Sequence, residues 1–191
     1  MTVGIILASY ILGSIPTGLW LGLRLKGVNI REHGSKNIGA TNTLRVLGKP
    51  LGIVALIGDV AKGAVPVHFL AAQSTWDHAP LACGIAAILG HTFSIFIKFK
   101  GGKGVATSAG VFLALAPIPT AISFGVFVLV VSLSRMVSLA SILGAIALAI
   151  SVWFFPIGTV VRCVVCAIAV LIVIRHKDNI QRILSGTESK L

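Results

Sequence analysis

The sequence predicts an all-α, polytopic membrane protein, and three observations carry that expectation. Of 191 residues, 56% are hydrophobic and only 11% charged, with a mean hydropathy of +1.01; a soluble domain of this size needs far more polar surface. Apolar runs of about 20 residues, enough for a helical span, recur along the chain. Between them, 14 of the 16 Lys and Arg residues gather in four places. These are Arg24 to Lys49, Lys98 to Lys103, Arg135, and Arg175 to Lys190. If each apolar stretch crosses the bilayer or turns back as a hairpin, all four clusters share one face, which the positive-inside bias makes cytoplasmic. The apolar surplus has to face lipid, so residues 1–191 read as a single integral membrane domain.

The first run, Val3 to Leu23, is long enough to span and has neither a basic leader nor a small-residue cleavage site before Arg24. Leu51 to Ala72 and Ala79 to Ile97 are the next two spans. The turn between them, Gln73 to His78, has no Lys or Arg, which suits the outer side, and Trp76 fits an interfacial anchor. Between Val105 and Ser134, Pro117 and Pro119 divide the apolar stretch into pieces of about 12 and 15 residues, about 18 and 23 Å long. Both are short for a hydrocarbon core of about 30 Å. A thinned crossing and a re-entrant hairpin alike return the chain to the cytoplasmic side. Met136 to Phe155 and Gly158 to Ile174, joined by Pro156, complete about seven transmembrane helices, with the N-terminus outside and the C-terminus cytoplasmic. Arg162, near the outer end of the last, is the one charge opposing this orientation.

The formal net charge of +11 raises nucleic acid as a partner, but the basic residues are not interleaved with aromatics, so anionic lipid or a phosphorylated substrate fits better. Cys163 and Cys166 have CxxC spacing inside an apolar helix and read as small packing residues.

The first cytoplasmic loop runs His33-Gly34-Ser35-Lys36-Asn37-Ile38-Gly39-Ala40-Thr41-Asn42-Thr43-Leu44-Arg45. Its glycines let backbone N–H groups approach an anion with no β-carbon in the way. Ser35, Asn37, Thr41 and Asn42 add side-chain donors, and Arg45 adds a fork suited to phosphate. The stretch nearly spells a nucleotide-binding P-loop. However, Ala40 stands where the lysine belongs, no strand precedes it, and no acidic magnesium ligand is evident. A plain solvated loop is the bland alternative, for which this density of glycine and amide is unusual.

The second loop runs Lys98-Phe99-Lys100-Gly101-Gly102-Lys103-Gly104-Val105-Ala106-Thr107. Lys98 and Lys100 read as snorkelling ends of the third span. Lys103 differs, because flanking glycines let the backbone bend tightly and bring its ammonium to a ligand, beside a helix N-terminus if one starts there. The third cluster, Arg175-His176-Lys177-Asp178-Asn179-Ile180-Gln181-Arg182, puts His176 and Asn179 on one face if the helix continues. Asp59 and Lys62 read as a mutually neutralising buried pair, and His91 as a hydrogen-bonded packing histidine. Ser138 and Ser141 suit either helix packing or a polar lining. The five acids form no carboxylate pair and no metal cluster, so neither a metal nor another cofactor is expected. Such an inventory holds anions, and it suits a donor that is already activated.

Together the three stretches resemble the acyl-phosphate-dependent glycerol-3-phosphate acyltransferases of bacterial membranes. The carrying residues are Gly34 to Asn42 with Arg45, then Gly90-His91 and Phe99 to Thr107, then Arg175 to Ile180 with Gly186-Thr187-Glu188. The resemblance covers the whole chain in length and motif order. Lys36 stands where the family more often has Gly, Ser94 where Pro is common, and Asp178 where Glu is common. The resemblance implies transfer of a fatty acyl group from acyl phosphate to the 1-hydroxyl of glycerol 3-phosphate, at the cytoplasmic face of the inner membrane. It implies Ser35, Lys103, His176 and Asn179 as catalytic residues. Gly34, Asn37, Gly39, Thr41, Asn42, Arg45, Gly101, Gly102, Gly104 and Ser141 are implied in substrate binding. No His in the chain has Asp at the spacing used by acyl-CoA-dependent glycerolipid acyltransferases. A transporter or channel for a phosphorylated solute is the alternative from another class, since broken helices and buried charge also suit permeation.

Overall fold

The structure, a computed structural model, describes all 191 residues and contains helices but no strand. The chain forms two compact units, Met1–Ala114 and Leu115–Leu191.

In the first unit, α1 (Thr2–Ser14) and α2 (Thr17–Lys26) come from one apolar run. The expected continuous helix from Val3 to Leu23 is corrected here, because the run bends by 48°. Pro16 has no N–H to continue the ladder and drives Ile15 to an extended ψ of 115°. A break inside an apolar span exposes carbonyls that lipid cannot satisfy. Two side chains from later in the chain close it. Ser94 Oγ donates to the Ser14 carbonyl at 2.5 Å, and Lys62 Nζ donates to the Ile15 carbonyl at 2.7 Å.

The first basic loop, expected to be irregular, contains a short helix, α3 (Ala40–Leu47). Next, α4 (Lys49–Val65) continues through a π-helical turn at Pro66–Leu70 and a 3-10 turn at Ala71–Gln73, giving one 25-residue apolar helix. The wider π turn accommodates Pro66, which an unbroken α-helix would not. The expected third span is α5 (Ala79–Thr92) with a 3-10 turn at Ile95–Ile97. The unit ends with the short α6 (Val105–Leu115).

Backbones touch where two glycines face each neighbour. A β-carbon on Gly13 would strike the Ala87 backbone, and one on Gly90 would strike Tyr10 and Ser14, so α1 and α5 are in direct contact. Gly63 meets the Thr107 carbonyl and Gly110 the Val60 carbonyl, which does the same for α4 and α6. Small residues serve this purpose in lipid, where helices associate by close packing instead of by escape from water.

The second unit holds α7 (Pro117–Ser134), α8 (Val137–Ser151) with a 3-10 turn at Val152–Phe154, α9 (Thr159–Arg175) and α10 (Lys177–Leu184). The expected short piece after Pro119 is corrected. Pro117 and Pro119 lie in the first turn of an 18-residue helix, where a missing N–H has no partner to lose. Ser123 Oγ donates to the Gly144 carbonyl at 2.7 Å and ties α7 to α8. Arg162, the charge that opposed the orientation, donates to the Phe155 carbonyl at 3.0 Å and stacks 5.4 Å from the Trp153 ring centre.

Four helices are long and apolar enough to cross a membrane: Lys49–Gln73, Ala79–Ile97, Pro117–Ser134 and Val137–Phe154. The bent pairs α1–α2 and α9–α10 raise the number to six if each is one span.

Gly90→Leu is expected to overpack the α1–α5 contact at a cost of about 1–3 kcal/mol, lowering the thermal midpoint in detergent by ~2–4 °C per kcal/mol. Gly125→Leu, on an open helix face, is the control and leaves the midpoint unchanged.

Candidate active site

In the first unit the loop from Gly34 to Arg45 is shaped by Asn42. This side chain is 1% exposed. It accepts the Ser35 N–H at 2.8 Å and donates to the carbonyls of Ile30 at 2.8 Å, His33 at 3.2 Å and Asn37 at 2.8 Å. Asn42, expected among the ligand's donors, thus braces the loop. Gly34 sits at φ +56° and Lys36 at φ +57°, so the residues on either side of Ser35 are both left-handed. A lysine there adopts the backbone that glycine takes without steric cost. Ser35 itself is exposed. Asn37 Oδ1 accepts the Gly39 N–H at 2.9 Å, and Thr43 Oγ1 donates to the Gly39 carbonyl at 3.1 Å. No side chain caps α3 at its N-cap Gly39, so the positive end of that helix, with Thr41 in its first turn, suits an anion. Arg45 lies half-buried in the last turn of the same helix.

The second loop reaches the same end of the unit, since Ile38 and Ile97 share one buried cluster with Leu19 and Ile30. Gly101 N–H donates to the Thr92 carbonyl at 3.1 Å and Gly102 N–H to the His91 carbonyl at 3.0 Å. A β-carbon on Gly101 would strike those carbonyls, and one on Gly102 would strike the His91 ring. Both glycines therefore exist for backbone fit. Gly104 is left-handed at φ +84° and turns the chain into α6. Lys103, half-buried between buried glycines, stands two residues before that helix.

In the second unit His176 and Asn179 are 2% and 5% exposed. His176 Nδ1 lies 2.8 Å from the Ile172 carbonyl. A carbonyl only accepts, so Nδ1 carries the hydrogen, and in the neutral form of the ring Nε2 is the acceptor. Asn179 Nδ2 donates to Glu188 Oε1 at 2.7 Å, which turns the amide so that Oδ1 points the other way. Ser138 Oγ donates to the same Oε1 at 2.7 Å, and Arg182 Nε donates to Oε2 at 2.7 Å. Burial opposes ionisation of Glu188, but the hydrogen bonds from Ser138, Asn179 and Arg182, with the Arg182 charge, outweigh it and hold the carboxyl below the usual range. Ser141 donates to its own helix, at the Val137 carbonyl, 2.8 Å away.

The model of the family described as glycerol-3-phosphate acyltransferase matches residues 3–186. The chain belongs to the glycerol-3-phosphate acyltransferase family. It is 48% identical over 185 residues to a glycerol-3-phosphate acyltransferase of Fusobacterium nucleatum, covering 97% of this chain and 95% of that one. A relative of the same name from Trichlorobacter lovleyi is 46% identical over 194 residues, covering 100% and 98%. Among solved structures, PlsY (YgiH), an integral membrane glycerol 3-phosphate acyltransferase, superposes in its glycerol 3-phosphate form with a TM-score of 0.93 at 37% identity. That match covers 100% of this chain and 95% of the other. The lysophosphatidic acid form gives 0.90 at 36% identity. Membership in the glycerol-3-phosphate acyltransferase family makes this chain a multi-pass membrane acyltransferase.

Two departures from the family pattern now have a physical reading. Ser94, where Pro is common, has φ −68°, a value proline also takes, and its hydroxyl adds the bond to Ser14. Asp178, where Glu is common, lies in the first turn of α10, where either acid complements the positive end of the helix dipole. Glu188 carries no assigned role in the sequence, because eight residues, five of them in α10, separate it from Asn179 and no periodicity joins the two.

Lys36→Gly is expected to relieve about 1 kcal/mol of left-handed strain and raise the thermal midpoint by ~2–4 °C. The depressed Glu188 contributes stability that is complete above the ordinary glutamate range of ~4.3 and is lost as pH falls through its lower native value. Glu188→Gln is therefore expected to flatten the acid side of a stability–pH profile in detergent.

Proposed function

We propose that this chain transfers a fatty acyl group from acyl phosphate to the 1-hydroxyl of sn-glycerol 3-phosphate, yielding lysophosphatidate and inorganic phosphate. The observation that carries the reading is the full-length match, in sequence and fold, to a membrane acyltransferase solved in glycerol 3-phosphate and lysophosphatidic acid forms. The chain's own residues supply the chemistry this reaction asks for. Backbone amides of 34–41, Ser35 and Lys103 hold the acyl phosphate and its leaving group, with charge neutralisation supplying most of the barrier reduction. Arg45 pairs with the phosphate of glycerol 3-phosphate. His176 Nε2 accepts a hydrogen bond from the attacking hydroxyl, and Asn179, oriented by Glu188, fixes the hydroxyl's neighbour. The hydroxyl oxygen bonds to the acyl carbon, the carbon–oxygen bond to phosphate breaks, and the hydroxyl proton ends on a phosphate oxygen. Ser35, whose main-chain N–H is held by Asn42, acts as a phosphate ligand and not as a nucleophile; trapping of an acyl-Ser35 adduct would overturn that role.

Residues 1–191 act as a single acyltransferase domain. Seven membrane-embedded segments, with α6 as a short one of about 16 Å, put the N-terminus outside and the C-terminus and basic loops in the cytoplasm. The placement rests on the clustering of Lys and Arg and locates the enzyme in the bacterial inner membrane. There a lipid-soluble donor and a cytosolic acceptor can meet.

Purified protein in detergent, given labelled glycerol 3-phosphate with acyl phosphate, acyl-CoA or acyl carrier protein in turn, is expected to form lysophosphatidate with the first donor only. Lys103→Ala and His176→Ala are each expected to lower turnover by about 100-fold or more. Equal product from acyl-CoA, or solute flux through proteoliposomes without product, would reject the assignment.

A further inference from the structure

An open groove of about 620 Å³ runs along α8 and α9, within the second unit, and acyl transfer does not use it. Ile146, Ile150 and Trp153 form one wall, and Cys166, Val170 and Ile174 form the other. Ile150 and Val170 are 57% and 58% exposed, so the groove opens outward. Its α9 wall, from Cys166 to Ile174, is about 12 Å long, the scale of a lipid tail. Trp153, the lining residue of these six nearest the α8–α9 turn, is also the ring against which Arg162 lies, 5.4 Å from its centre. Arg162 is a cation without a counter-ion. It donates to the Phe155 carbonyl, and its Nε is buried with no hydrogen-bond partner. The carboxylates that pair with bases are Asp59 and Glu188, and neither pairs with Arg162. Its place near the start of α9 sets it against the positive end of the helix dipole, which an anion alongside would relieve. The segment Val137–Phe154 is long and apolar enough to cross the membrane, which puts Arg162 at the boundary opposite Arg135.

We propose that the α8–α9 groove binds one anionic membrane phospholipid, with a tail between Ile150 and Val170 and its phosphate paired with the Arg162 guanidinium. An apolar channel with an indole and a cation at its mouth matches the order of tail, interface and headgroup in such a lipid. A second copy of the chain fits less well, because a two-fold contact centred on the groove brings the two Arg162 side chains toward each other. The lipid is a bound partner that supplies the missing negative charge and covers the apolar walls; it is not a reactant.

The probe is lipid carrying bromine on its acyl chains, which quenches an indole on contact. In the Trp20→Phe/Trp76→Phe protein, Trp153 is the one tryptophan left. This protein is placed in mixed vesicles of phosphatidylglycerol and phosphatidylcholine, with the bromine first on one lipid and then on the other. Trp153 is expected to report a preference for phosphatidylglycerol of about fivefold, the size that one surface cation confers. Arg162→Gln, which keeps a donor for the Phe155 carbonyl, is expected to abolish the preference with turnover unchanged. Native mass spectrometry needs no tryptophan replaced and decides the matter if that parent fails to fold. There, Arg162→Gln and the groove-filling Val170→Phe are each expected to retain one phosphatidylglycerol fewer than the wild type. Equal quenching by both lipids in the parent, a preference that survives Arg162→Gln, an unchanged number of retained lipids, or a dimer that excludes both lipids from Trp153 overturns the proposal.

Discussion

A hydrocarbon interior offers no partner to an open peptide group, and this constraint governs how the chain may be broken. The first apolar run stops at Pro16, α5 stops at Phe93, and the chain turns at Phe155. In each case a side chain from elsewhere supplies the donor. Lys62 and Ser94 reach the Ile15 and Ser14 carbonyls, the Tyr10 hydroxyl reaches the Phe93 carbonyl at 2.6 Å, and Arg162 reaches Phe155. These contacts let helices end within the apolar zone and leave irregular backbone for the glycine-rich loops.

The same economy shapes the loops. Close passage of α1 over α5 and α4 over α6 needs glycine at Gly13, Gly90, Gly63 and Gly110. The loop before α6 needs it again at Gly101 and Gly102, where a β-carbon would strike the His91 and Thr92 carbonyls or the His91 ring. Asn42 plays the matching part in the first loop. It converts four polar atoms of main chain into a fixed frame that presents Ser35 outward.

Much of this was legible in the sequence. Apolar run lengths and the clustering of Lys and Arg located the helices from Leu51 to Ile97 nearly to the residue. The three motifs named the family. Less visible were features set by contacts distant in sequence. Pro16 looked like one residue of a long apolar run, and its effect depends on Lys62 and Ser94 being there to close the gap. Pro117 and Pro119 were read as interior breaks because their missing N–H groups suggest rupture, whereas at the start of a helix nothing is lost. The bracing contacts of Asn42 were not visible, since an amide in a glycine-rich loop has the same spelling whether or not it binds the loop. The Asp59–Lys62 pair, three residues apart on one helix, was readable at once; the approach of His91 to it was not.

The fracture at Pro16 also bears on how the protein is made. Synthesis proceeds from the N-terminus, so α1 and α2 leave the ribosome before Lys62 and Ser94 exist. Alone, α1 has 13 residues, about 20 Å of helix, too little to cross a bilayer. The newborn segment therefore enters the membrane with two bare carbonyls, and its final bend is set only after α5 has been delivered beside it. Completion of this first bend in that sense waits for side chains made well after it.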